Sequence, residues 1–195
     1  MSAAGHGHGP EHGHGGLENK KIALLISVLA LVLAFSETLG KSAQTAALSQ
    51  NIEASNLWAF FQAKTVRMTV LRTAAEEAEM GLQQIMLPKN KQAIEQRMAA
   101  WRKIADRYDS EPETREGRKE LAARAREAEK LRDRALAAYH HYELASAAVQ
   151  IGIVLASAAI ITGIAALVWV AAGLGVVGIV FCAIAFIAPT AIHLF

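Results

Sequence analysis

Residues 144–195 read LASAAVQ IGIVLASAAI ITGIAALVWV AAGLGVVGIV FCAIAFIAPT AIHLF, and none of these 52 positions holds Asp, Glu, Lys or Arg. About 20 residues of helix cross the hydrocarbon core of a bilayer, so a run of this length holds two spans. Trp169 with Val170, Ala171, Ala172 and Gly173 is the natural place for the turn, because an interfacial aromatic there meets small residues that allow a tight helical hairpin. The spans are expected at residues 144–168 and 173–194.

Upstream, residues 22–35 are unbroken apolar or small sequence that runs on through Ser36, Glu37, Thr38 and Leu39, long enough to span as residues 20–40. Lys20 and Lys21 precede it and no Ala-x-Ala type cleavage site follows it, which predicts an uncleaved signal anchor. Glu37 stands four residues before Lys41, the favourable order for a helical ion pair at the membrane edge. Tyr139 and Tyr142 read as the aromatic belt of one interface and Trp169 as that of the other, with Lys20, Lys21, Glu37 and Lys41 also at the interfaces. The lipid bilayer is the first partner this composition implies: 53% of the 195 residues are hydrophobic against 19% charged, and mean hydropathy is +0.23.

Residues 41–143 carry 18 Lys and Arg with 15 Asp and Glu, nearly all the charge of the molecule, and therefore belong in water. Stepping by four and three from Ala43 gives Ala47, Gln50, Ala54, Leu57, Phe61, Lys64, Met68, Leu71, Ala75, Ala78, Leu82 and Ile85, an apolar seam broken only by Gln50 and Lys64. Nothing stops this helix before Pro88, since Gly40 and Gly81 each cost only about 1 kcal/mol. Helices near residues 90–109 and 113–143 follow, separated at Pro112; the first buries Ile94, Met98, Trp101, Ala105 and Tyr108, and the second presents Leu121, Ala128, Leu131, Ala135, Ala138 and Tyr142. Together they cover about 76 Å, close to the roughly 70 Å of residues 41–87. An antiparallel hairpin with one break in its return arm is expected. The fold class is thus all-α: a membrane protein with one N-terminal and two C-terminal transmembrane helices flanking a long extramembrane helical hairpin or coiled-coil stalk.

A lone helix pair would leave Leu57, Trp58, Phe60 and Phe61 partly in water, so a homo-oligomer is expected, with a monomeric three-helix bundle as the alternative. Leu57, Trp58, Phe60, Phe61, Lys64 and Arg67 combine area with directed polar contacts and are the candidate oligomer or partner surface.

Signals for chemistry are few. His6, His8, His12 and His14 form two His-x-His pairs in a Gly-rich tail, residues 1–19, expected to be disordered; imidazole is a good ligand for Zn, Cu or Ni, so these are candidate metal ligands. No other cofactor is implied. His140 and Glu143 share a helix face, with no further ligand evident in the sequence. Cys182 is the one cysteine, which excludes an internal disulfide and any Cys-x-x-Cys pair. The pairs Gly152/Ala156, Ala159/Gly163 and Gly178/Cys182 permit close helix packing. Gly-x-Ser-x-Gly, Walker, His-Glu-x-x-His and dinucleotide fingerprints are missing, and no basic block with interleaved aromatics marks a nucleic-acid partner. The expectation is a protein that is not an enzyme.

The block QNIEASNLWAFFQAKTVR at residues 50–67, the HHYELA sequence at 140–145 and the one-plus-two order of spans resemble the bacterial membrane-protein family catalogued as domain of unknown function 4337. The resemblance runs from about residue 18 onward and is most specific over residues 58–67. It implies a bacterial inner-membrane setting and this architecture, and carries over no catalytic residue. The chain departs from the family pattern at residues 168–172, where members often have a basic cluster. Short loops govern the positive-inside rule, so Lys20 and Lys21 favour a cytoplasmic N-terminus with residues 41–143 in the periplasm, while Lys41, Lys130, Arg132 and Arg134 argue the reverse. The leading expectation is a homo-oligomeric scaffold or docking element with a further protein partner. One alternative is an oligomeric channel lined by Ser157, Thr162 or Thr190, and a second is metal handling through the tail.

Overall fold

The computed structural model describes residues 15–82 and 87–191, with side chains from residue 19 onward. They form four helices: α1 (Gly15–Leu82), α2 (Pro88–Asp109), α3 (Arg118–Thr162) and α4 (Ala165–Ile187). By length and composition α1, α3 and α4 each contain a stretch able to cross a membrane. The chain divides into two compact units, one of Ala46–Asp133 and one of Met1–Thr45 with Arg134–Phe195.

In the Ala46–Asp133 unit, α1 presents its four-and-three seam to α2 and α3. Every described seam residue within the unit, Gln50 and Lys64 included, is buried or half-buried; Ile85 lies outside the described residues. Ala54 and Leu57 of α1 meet Leu121, Ala125 and Ala128 of α3 in the core, with Trp58 and Phe61 packed against it. Alanine at so many of these positions lets the helices approach closely while each burial removes little apolar area. Met98 and Ala105 of α2 are buried, while Leu131, expected on the inner face, is 46% exposed.

Pro88 occupies the first turn of α2, where its missing N–H costs no hydrogen bond. Between α2 and α3 the loop closes at Gly117, which is buried; a Cβ there would run into Glu120 Oε2, the Glu111 backbone N and, at 2.7 Å, Ser110 Cα. No other residue fits without moving the loop.

The second unit packs small residues. Leu29 of α1 fills the space over Gly175 of α4, and Val149 of α3 that over Gly178. Gly152 sits where a Cβ would lie 3.2 Å from the Ala171 carbonyl oxygen. Ala145, Val149, Ala156 and Ala159 continue the buried face of α3, and Ala171 and Ala185 that of α4. Backbones this close gain dispersion contact without any need for water exclusion, the mode of association open to helices in lipid.

Three boundaries differ from the sequence reading: α1 begins at Gly15, within the tail expected at 1–19, α3 begins at Arg118 and not at 113, because the chain from 110 to 117 forms a loop, and the turn between the last two apolar helices moves. The break between α3 and α4 lies at Gly163 and Ile164, ahead of the expected 169–172 turn, so α3 ends at Thr162 and α4 begins at Ala165. Gly163 takes φ +69°, the left-handed conformation that ends helices, and donates its N–H to the Ala159 carbonyl at 2.9 Å. Gly163 therefore terminates α3 and does not serve as the packing half of an Ala159/Gly163 pair. Trp169, 80% exposed, falls inside α4.

Candidate functional site

Residues 58–67 are tied into their own unit by polar contacts. Trp58 donates its indole N–H to Glu129 Oε1 at 2.8 Å. Its ring meets Phe61 edge-on, with centroids 5.4 Å apart. Lys64 is 6% exposed. Its Nζ lies 5.3 Å from the Phe60 ring centre, 5.1 Å from that of Tyr108 and 4.0 Å from Glu116 Oε2. Two aromatic faces and one carboxylate thus stand in for the water a buried ammonium has lost.

Arg118 plays the matching part from α3. Its guanidinium lies 5.1 Å over the Phe61 ring, and its Nη1 donates to Asp109 at 3.1 Å and reaches Met68 Sδ at 3.4 Å, while its buried Nε has no partner among the described residues. Lys119 binds the other oxygen of Asp109 at 2.8 Å, and this hydrogen bond, together with the charges of Lys119 and Arg118, holds that carboxyl below the usual carboxylate range. Arg107 binds Glu111 across one helical turn, which lowers the Glu111 pKa and raises that of Arg107. Glu120 accepts the Ser110 hydroxyl at 2.7 Å and the Glu111 backbone N–H at 3.2 Å, the hydroxyl being the larger cause of its own lowered pKa. The cluster locks the 110–117 loop against α1 and the start of α3. Leu57 is buried, Trp58 and Phe61 are half-buried, and Phe60 and Arg67 remain exposed. The side chains expected to form an external contact are largely spent inside.

Polar groups of the second unit gather near residues 36 and 141. The Ser36 and Ser146 hydroxyls lie 2.8 Å apart, and Ser36 is fully buried. His141, 1% exposed, directs Nε2 at the Pro189 carbonyl oxygen at 3.0 Å, so that nitrogen carries a proton. Its ring stacks on Phe181 with centroids 6.0 Å apart, and its Nδ1 has no partner among the described residues. Glu37 accepts a hydrogen bond from Gln150 at 3.2 Å, and no ion pair with Lys41 forms. Tyr142 is buried against Gly40; Tyr139 is half-buried and 3.4 Å from Glu143. Lys20, Lys21, Lys41 and Trp169 are exposed. His141 was missed because inward and outward histidines look alike beside two tyrosines, and only the Pro189 carbonyl, 48 positions on, distinguishes them.

Ser157 and Thr162 hydrogen-bond to carbonyls of their own helix, at 2.8 and 2.9 Å. His6, His8, His12 and His14 lie outside the described residues. Among the described residues no three His, Cys, Asp or Glu side chains converge to hold a metal.

The family model for the domain of unknown function (DUF4337) matches residues 18–188, which takes in α2, α3, α4 and all but the first three residues of α1. The chain belongs to that family. No curated protein and no solved structure matches it. DUF4337 is by its description a domain of unknown function.

Proposed function

We propose that this DUF4337 chain is a non-enzymatic, homo-oligomeric scaffold of the bacterial inner membrane, anchored by its three apolar helices and docking a protein partner through the Ala46–Asp133 unit. The observation that carries this reading is the inward use of the Lys64 and Arg118 cluster: two cations, three aromatic rings and their carboxylates hold a loop in place. A rigid helical surface results, and the groove beside it, about 310 Å³ and bordered by Gln50, Glu53, Leu57, Arg124 and Leu131, has the mixed lining of a contact surface. Lys20 and Lys21 support a cytoplasmic N-terminus and a periplasmic Ala46–Asp133 unit.

Mass measurement of the full chain in lipid nanodiscs tests the reading, with more than one copy per particle expected; a single copy in every lipid composition tried overturns it. Flux through reconstituted liposomes above protein-free controls would replace the scaffold with a channel. Glu113 is exposed in the 110–117 loop, and a Glu113→Cys substitution in a Cys182→Ala background should react with an impermeant maleimide on intact spheroplasts. Reaction only after lysis reverses the orientation.

A further inference from the structure

Residues 36–44 of α1 and 139–146 of α3, which belong to one compact unit, border a groove of about 300 Å³. Its floor is the buried Ser36, whose hydroxyl lies 2.8 Å from that of Ser146, with Gly40 packed against Tyr142 beside it. Its walls carry charge of both signs: Glu37 and Lys41 from α1 and Glu143 from α3, all exposed. Glu37 is the one carboxylate in the apolar run of α1, and an ionisable group at such a depth calls for a polar partner. The chain itself supplies only part of one. Glu37 accepts the Gln150 amide at 3.2 Å, and Glu143 is met by the Tyr139 hydroxyl at 3.4 Å and His140 Nδ1 at 3.7 Å. Lys41, in helical register with Glu37, makes no ion pair among the described residues. Toward Lys21 the surfaces that continue from Glu37 and Gln150 hold no charge: Ala34 and Ala30 on α1 and Val154 and Ile161 on α3 are all exposed. A groove with both signs of charge thus opens onto an apolar strip.

We propose that this groove binds the headgroup of a phospholipid carrying a primary ammonium next to its phosphodiester, as phosphatidylethanolamine does, with the acyl chains lying along the strip. The proposal rests on the membrane anchoring argued above and names a lipid for it. Glu37 and Glu143 accept hydrogen bonds from the ammonium, since a carboxylate that has taken one amide N–H still has lone pairs to offer. Lys41 supplies the cation for the phosphodiester. The pairing of signs selects the headgroup. An anionic one would bring negative charge beside two carboxylates with one lysine to offset them, and a quaternary ammonium has no N–H to donate. About 300 Å³ is the small end for a ligand site, and only the headgroup has to fit, because the chains stay in the bilayer. The strip favours a lipid over free phosphoethanolamine, which would leave it uncovered.

Native mass spectrometry reads the lipid retained by the full chain on release from nanodiscs of equal parts phosphatidylethanolamine, phosphatidylglycerol and phosphatidylcholine with the same acyl chains. Phosphatidylethanolamine should exceed each of the others by about five-fold or more, the discrimination expected of one or two charge-assisted hydrogen bonds at an open site. Equal retention, or an excess of either other lipid, overturns the proposal. Glu37→Gln combined with Glu143→Gln should bring phosphatidylethanolamine down to the level of phosphatidylcholine. Lys41→Gln should lower its retention as well. All three side chains are exposed, so helical circular dichroism should stay at the wild-type level. An excess that survives both variants overturns the site. The wild type alone gives a second reading: retention should fall stepwise through the N-monomethyl and N-dimethyl lipids as N–H groups are replaced, and a flat series overturns the primary-ammonium assignment. Soluble glycerophosphoethanolamine at the lipid's own concentration should displace none of it, whereas displacement would make the free headgroup the ligand and overturn the lipid. Alkaline carbonate washing separates the two ideas: a chain that stays in the membrane pellet yet shows no lipid preference sinks this site alone, and a chain washed into the supernatant sinks the anchoring as well.

Discussion

Trp58 and Glu129, 71 positions apart in sequence, are joined by an indole N–H to carboxylate hydrogen bond of 2.8 Å that pins α1 to α3 beside the Ala54, Leu57 and Leu121 core. A hydrogen bond to a charged acceptor is worth about 1.5 to 3 kcal/mol, toward the lower figure where both partners are half-buried as here. Trp58→Phe and Glu129→Gln should each lower unfolding stability, and the double variant should fall short of their sum by about 1 kcal/mol, measured by chemical denaturation in detergent. Additive losses would mean that the bond contributes nothing of its own.

Lys64 is the buried cation of the same unit, and its hydrocarbon stem fills space that its charge does not need. Lys64→Met keeps the volume and removes an ammonium paired with Glu116 only at 4.0 Å, so stability within about 1 kcal/mol of wild type is expected. Lys64→Ala loses both the stem and the contacts with Phe60 and Tyr108 and should cost about 2 to 4 kcal/mol. A methionine variant as damaged as the alanine one would assign the stability to the charge.

The inner seam of α1 was legible because its information is local: residues three and four apart share a face, and Pro88 and Pro112 mark where the return arm starts and breaks. Which partner the seam meets was not legible. Ala43 to Leu82 reads the same whether it packs on α2 and α3 or on another copy, and the structure gives it to the chain's own helices. Gly163 shows the same limit, since a glycine in an apolar helix looks like a packing residue until its φ is known. The Asp109, Glu111 and Glu120 contacts were invisible for a different reason: they depend on how the 110–117 loop folds back, which no periodicity records.

Gly178 and Gly173 sit on the same helix with opposite surroundings. A Cβ at 178 would strike Val149 Cγ2 and come within 3.2 Å of the Ala145 carbonyl oxygen, whereas a Cβ at 173 meets nothing within 4 Å. Gly178→Val should push α4 off α3 and lower the thermal midpoint in detergent by several degrees, an effect of about 1 to 3 kcal/mol for overpacking. Gly173→Ala should leave it unchanged. Equal tolerance of both would show that α3 and α4 do not pack through this face.

Acid should loosen the 110–117 loop. Asp109, Glu111 and Glu120 all have folded-state pKa values below their ordinary ones, because Lys119, Arg107 and the Ser110 hydroxyl stabilise the charged carboxylates. The folded state therefore binds fewer protons than the unfolded one as each group titrates, and stability rises with pH through that range. Their contribution is fully present above the unfolded values near 3.8 and 4.5 and is lost as pH falls through the lower folded values. Thermal midpoints taken from about pH 6 down to about pH 3 should drop more steeply for wild type than for an Asp109→Asn, Glu120→Gln double variant, which has two of the three linked groups removed. Parallel curves for the two proteins would place the acid sensitivity in other carboxylates and leave the loop clasp without a part in it.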